Sequence, residues 1–228
     1  MTYDLFIGDR TFSSWSLRGW LMFAKFGIPV NTHLVGLYSG TMAQDLAELA
    51  PARLVPVMRD ASGIVIGDSL AMAETLAERH PDAGLWPKEP AARAFARWIV
   101  AEMHSGFTAL RDACPMQLQH QILGFEPSDA VLADLARIED LWTLAKSRHG
   151  GDGPWLLGEY SLADVFYAPV TARIAGYKLP VGPLAQAYTT RTISDPEFLT
   201  WRAEGLKVNY DPFPYDTGLP TAPWPGPN

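Results

Sequence analysis

The chain has 228 residues, 48% of them hydrophobic and 19% charged, with a formal net charge of −7. That length supports one large domain or two smaller ones, each with its own core. The acidic balance argues against a nucleic-acid or anionic-membrane partner, and a single cysteine, Cys114, allows no intrachain disulfide. No apolar stretch approaches the ~20 residues that a spanning helix requires. The opening residues, Met1 to Gly8, hold Asp4 and no basic segment, so a secretory leader is not expected and a reducing cytoplasm is.

Tyr3, Leu5 and Ile7 alternate with Asp4, Phe6 and Gly8, the period of a half-buried strand. Ser13, Ser14 and Ser16 then crowd around Trp15 and open a helix in which Leu17, Trp20, Leu21 and Ala24 recur at helical spacing, closed by Gly27 and Pro29. A strand is predicted over Thr32 to Leu37, and a short helix over Met42 to Leu49 that Pro51 stops. "LVPVMRD" and "GIVIGD" read as a hairpin whose second arm, Ile64 to Ile66, is a buried strand. "DSLAMAETLAERHP" is a helix with Asp68 or Ser69 as its cap and Pro81 beyond its end. The order β-α-β-α-β-β-α describes an α/β domain over residues 1–81.

"PDAGLWPKEP" holds three prolines and a glycine and reads as a linker, residues 82–90. From there to about residue 210 the pattern is helical. One helix is predicted through Phe95, Trp98, Ile99, Met103, Phe107 and Leu110 until Pro115 ends it. Another opens at Ser128 or Asp129 and breaks at "GGDG". "SLAD", Ser161 to Asp164, is a capping box before a further apolar helix. Asp195-Pro196-Glu197 starts a late one. The tail, residues 211–228, contains six prolines, so no regular structure is expected there.

Four stretches in this order resemble the glutathione transferase family: "SSWSLR", "LVPV", "GDSLAMAETLAERHP" and "GPWLLGEYSLADVFYAPV". The first is similar to the S-S-C-S-W-R of Ser-type, zeta-like members, with Trp15 in place of the cysteine, and the chain looks like a bacterial one. The match runs from about residue 3 to 206. The resemblance implies a thioredoxin-like N-terminal domain plus an all-α helical bundle. It also implies a cytoplasmic homodimer engaged in detoxification, which takes glutathione as co-substrate and a small hydrophobic or electrophilic second substrate.

A lone serine before a helix is an ordinary N-cap worth ~1 kcal/mol. The resemblance adds a role. An unperturbed thiol has a pKa of about 8.5, so little of it is ionised at neutral pH. Lowering that value by ~2 units takes roughly 2.7 kcal/mol of preferential stabilisation of the anion, which helix N–H groups and a donated hydroxyl hydrogen bond can supply. Counting back from Arg18 puts that hydroxyl at Ser14, with Ser13 the close alternative. Arg18 is expected to pair with a nearby acid.

The resemblance further implies a cis Val55–Pro56 bond that turns the Val55 backbone toward the cysteinyl part of glutathione. Leu54 stands where many relatives carry Lys or Gln, which leaves Arg53 as the candidate contact for the glycine carboxylate. Asp68 and Ser69 would meet the γ-glutamyl amino and carboxylate groups at a helix start. The second substrate would lie against Met103, His104, Phe107 and Arg111, with His104 and Arg111 on one helix face because they lie seven residues apart. Ser161 and Asp164 are structural. The five histidines show no metal-ligand spacing, so no metal is expected.

The leading reading is a glutathione transferase. Its rivals are a glutathione-dependent cis–trans isomerase of the maleylacetoacetate type and a non-catalytic ligand-binding or partner-binding relative. A cysteine-dependent reductase is disfavoured, because Cys114 lies outside the α/β half.

Overall fold

The structure, a computed structural model, describes residues 2–208 and 215–227. Strand β1 (Tyr3–Ile7) buries Tyr3, Leu5 and Ile7 and leaves Asp4 and Phe6 half-exposed, as its alternation dictates. It is central in a four-stranded sheet, parallel to β2 (Val30–Leu34) and antiparallel to β3 (Val57–Arg59). The outer strand β4 (Val65–Ile66) pairs with β3. The hairpin arm expected to be a buried strand is therefore a two-residue edge, and Ile64 before it is 51% exposed.

Helix α1 (Ser14–Ala24) buries Leu17, Leu21 and Met22 against the sheet. Full burial of each such side chain stabilises by about 1.5–3 kcal/mol. Its far end is tied to the late helix by Lys25, whose Nζ lies 2.7 Å from Asp195 and 2.9 Å from Glu197. Short helical turns follow, α2 (Met42–Asp45) and a 3-10 turn at Ala47–Leu49, then α3 (Ser69–Arg79).

In the helical half, α4 (Pro90–Ser105) ends sooner than its rhythm predicts. Gly106 closes it, Phe107 takes a left-handed conformation (φ 55°), and a separate helix α5 (Thr108–Ala113) begins. Arg111 folds back to donate toward the carbonyls of His104 and Gly106, at 3.4 and 3.2 Å, which satisfies the end of α4. Helix α6 (Asp129–Ala145) starts at its Ser128 cap.

Helix α7 (Leu162–Gly176) is buried at every position, so it has no polar stripe and serves as the axis of the molecule. Helix α8 (Pro183–Ile193), absent from the sequence reading, and α9 (Pro196–Gly205), capped by Asp195 as expected, complete the bundle. One core runs unbroken from β1 through α1 and into α4, α6 and α7.

The tail corrects a second expectation. Residues 211–214 and 228 lie outside the described residues, but β6 (Thr221–Pro223) is a strand. It pairs antiparallel with β5 (His120–Ile122), itself unexpected inside the helical half. Three residues with Pro223 at one end are compatible with an edge ribbon, where a missing amide costs no ladder bond. Among the described residues, no helix is long and apolar enough to cross a membrane.

Candidate active site

The loop before α1 is pinned before the helix begins. Asp9 Oδ1 accepts from the Thr11 amide at 3.0 Å and the Thr11 hydroxyl at 2.6 Å, while its carbonyl accepts from the Ser13 amide at 2.8 Å. Trp201 Nε1 donates to the Arg10 carbonyl at 2.7 Å. Ser13 is the N-cap of α1: its Oγ accepts from the Ser16 amide at 3.3 Å and donates to Ser16 Oγ at 2.8 Å. Ser16 Oγ in turn accepts the Gly8 amide at 2.9 Å. Both oxygens are absorbed in holding the turn, and Ser16 is fully buried and away from the cleft lining.

Ser14 differs. Its Oγ accepts one long contact, 3.5 Å, from Arg173 Nη2, and its own hydrogen has no acceptor among the described residues. The Trp15 amide, in the first turn, is also without an acceptor there. The sequence alone left Ser13 and Ser14 as alternatives; hydrogen-bond accounting separates them.

Both serines face a cleft of about 450 Å³ between the two halves. Val55, Pro56, Asp68 and Ser69 line its other side. The Val55–Pro56 peptide is cis, and the Val55 backbone N–H and C=O have no partner among the described residues. α1 approaches Pro56 so closely that a Cβ on Gly19 would lie 2.8 Å from the proline ring, so glycine is needed there. Asp68 caps α3, its Oδ1 accepting from the Leu70 and Ala71 amides at 2.8 and 3.0 Å. Ser69 is 1% exposed, lines the cleft, and its Oγ has no partner among the described residues. A buried hydroxyl left this way costs free energy unless a ligand completes it.

The expected second-substrate wall is only partly there. Arg111 lines the cleft. Met103 is fully buried and Phe107 is 6% exposed, both inside the core. The helical rhythm marked their inward face, and that face packs on the bundle. His104 stands one layer back, edge-on to Trp15 at 5.1 Å, with Nε2 3.4 Å from Asp68 Oδ2. Burial lowers its pKa, the nearby arginines adding to the effect against Asp68, so it is neutral at pH 7. Arg53 is exposed and away from the cleft lining. Ser161 and Asp164 form the capping box of α7 far from the cleft.

Arg18 has no acid partner among the described residues. Its side chain is fully buried between Trp15, at 4.5 Å, and Phe166, at 5.4 Å, and none of its nitrogens has an acceptor among the described residues. Burial, then Arg173 and Arg111, brings its pKa down to about 9, so the charge persists at neutral pH. The Arg111 guanidinium also lies over the Trp15 ring, at 5.1 Å.

Sequence reasoning missed Arg173. It is 4% exposed, with Nε donating to the Cys114 carbonyl at 2.8 Å and Nη1 to the Pro169 carbonyl at 3.1 Å. The available signal was a lone charge in the run "VFYAPVTARIAG", apolar but for Thr171. Arg18, Arg111 and Arg173 make no salt bridge among the described residues. The cleft lining carries Arg111 and Arg173 against Asp68 and Asp112, and the cation beside Ser14, Arg173, favours an anion at that end. No cluster suited to a metal ion occurs among the described residues.

A family model described as glutathione S-transferase, N-terminal domain, matches residues 12–79. A probable maleylacetoacetate isomerase of Caenorhabditis elegans is 37% identical over 176 residues, spanning 76% of this chain and 79% of that protein. Maleylacetoacetate isomerase of Rattus norvegicus is 29% identical over 180 residues, with the same 76% and 79% coverage. In fold, a glutathione transferase homolog from Burkholderia, solved with bound glutathione, superposes with a TM-score of 0.66 at 20% identity, over 92% of this chain and 100% of that one.

Proposed function

The chain belongs to the glutathione S-transferase family, and on that premise we propose that its cleft binds glutathione, keeps the sulfur as a thiolate and presents it to a small electrophile. The observation that carries this reading is the start of α1. One hydroxyl hydrogen on Ser14 and one amide on Trp15 are left over after the turn has satisfied itself. Both are donors, both sit at the positive end of a helix, and Arg173 adds a full charge beside them. Ser14 does not ionise; it donates to the sulfur anion. Attack by that anion forms a carbon–sulfur bond and expels the leaving group of the electrophile.

Residues 1–81 are the glutathione-binding domain in this reading. The Val55 backbone pairs with the cysteinyl part, and Ser69 at the α3 start takes the γ-glutamyl carboxylate, completing its orphaned hydroxyl. Asp68 receives the amino group. Residues 91–210 supply the wall for the second substrate, with Arg111, Asp112 and Arg173 as its charged groups. Those two cations, with the isomerase relatives, favour a second reading in which the second substrate is a carboxylate-bearing alkene isomerised while bound to the sulfur. A cytoplasmic homodimer is part of the proposal on the family's likeness, with the 54% exposed indole of Trp98 on α4 as the apolar surface a second copy would cover.

Isothermal calorimetry with glutathione on wild type and Ser69→Ala tests the assignment. Saturable binding weakened by the substitution is expected. No heat from wild type ends it. Turnover of maleylacetoacetate with catalytic glutathione, set against conjugation of chlorodinitrobenzene, separates the two chemistries.

A further inference from the structure

The C-terminal residues 215–227 lie beyond the bundle in sequence, yet they return to the cleft. Their far part is anchored. β6 pairs with β5, the Leu123 amide donates to the Pro220 carbonyl at 2.8 Å, and Trp224 is 6% exposed beneath the Arg202 guanidinium at 5.5 Å. Their near part reaches Tyr215, which lines the cleft beside Phe12, Tyr38 and Arg173.

There the tail touches the opposite half. The Tyr215 and Tyr38 hydroxyls are 2.8 Å apart. Phe12, Tyr38 and Tyr215 form a three-ring cluster of edge contacts, with centroids 6.1, 6.2 and 6.3 Å apart. Phe12 and Tyr38 belong to the α/β half, while Tyr215 is 177 residues from Tyr38. Phe12 lies two residues before Ser14. Burial, reinforced by the bond to Tyr215, raises the Tyr38 phenol well above its ordinary pKa, so that phenol stays neutral. Nothing in ordinary stability requires a tail to cross the mouth of a cleft and bond to its far rim.

We propose that residues 215–224 are a strap that roofs the second-substrate side of the cleft, and that Tyr215 is a specificity-determining residue. Its ring sets how bulky an electrophile can approach the sulfur, and its bond to Tyr38 holds the roof down. The selectivity half rests on the glutathione-transferase reading; the clasp itself does not.

The test uses the full chain with Tyr38→Phe, Tyr215→Phe, their double variant and Tyr215→Ala. Amide hydrogen exchange is read without ligand in residues 36–41 and 215–224. Losing one neutral hydrogen bond is worth about 2- to 10-fold in an opening equilibrium. Each single phenylalanine should speed exchange in both segments by that amount, and the double variant should match a single one. Effects confined to the mutated segment, or adding in the double variant, overturn the clasp.

With Tyr215→Ala, the ratio of kcat/KM for chlorodinitrobenzene over iodomethane should rise by about 5-fold or more, the scale of removing a steric wall. The thiolate band of bound glutathione should not move. An unchanged ratio overturns the selectivity claim. Failure of wild type to bind glutathione sinks the transferase reading and with it that claim, while exchange still decides the clasp.

Discussion

Two of the helices that begin at serine, α7 and α1, show opposite uses of the same residue. At α7, Ser161 and Asp164 close a capping box with nothing left over. Asp164 is fully buried and accepts from the Ser161 amide at 2.9 Å, the Ser161 hydroxyl at 3.3 Å, the Leu156 amide at 3.3 Å and the Tyr188 hydroxyl at 3.0 Å. At α1, Ser13 and Ser16 do the capping, and Ser14 and the Trp15 amide are surplus, turned to a cleft. Chemistry is available where hydrogen-bonding capacity exceeds what folding consumes.

The sharpest way to break that contrast is to exchange the expected consequences. Asp164→Ala strands several buried donors, each worth about 1–3 kcal/mol, and should lose at least about 3 kcal/mol in denaturant unfolding. Catalytic loss without loss of stability would put Asp164 in the wrong class.

Next in size is Ser14→Ala. Removing a donor to a developing or resident anion costs about 100-fold in kcat, here with a stability change below about 1 kcal/mol. Ser13→Ala should do the reverse, costing about 1 kcal/mol of stability as a lost cap while kcat stays near wild type. Identical kinetics for the two variants would erase the distinction between them.

Ser69→Ala sharpens it further, because a ligand-waiting hydroxyl has a sign of its own. The free protein should hold or gain stability on losing an unsatisfied buried group, while the glutathione Kd rises about 10-fold. A destabilised free protein would show that Ser69 serves the fold.

The smallest effect concerns Cys114. Burial pushes its thiol up to about 12, so below that pH it stays protonated. Native protein should resist iodoacetamide at pH 8 and react once unfolded. Fast native labelling would show that the core around it opens.

Much of the α/β half was legible because its signals are local. Strand alternation at Tyr3 to Ile7, the serines before Leu17 and the cap at Asp68 each fit within a few residues. The helical half was harder for a physical reason. The apolar rhythm continues in phase across Gly106 and Phe107, so a break between α4 and α5 leaves no mark on it. Periodicity also cannot tell a cleft wall from a core, hence Met103 and Phe107. Arg18 drew the expectation of an acid, but the aromatic faces of Trp15 and Phe166 took that place. Arg173 and Tyr215 join the site from segments far along the chain, through contacts that spacing does not encode. The tail's prolines masked a strand that needs only three residues.

The account stands on the surplus donors at the start of α1, and the ultraviolet thiolate band of bound glutathione, titrated against pH, reads them directly. Wild type and Ser13→Ala should ionise well below the ordinary thiol value of about 8.5, and Ser14→Ala should move back toward it. A wild-type midpoint at the ordinary value, or one that Ser14→Ala leaves in place, would contradict it.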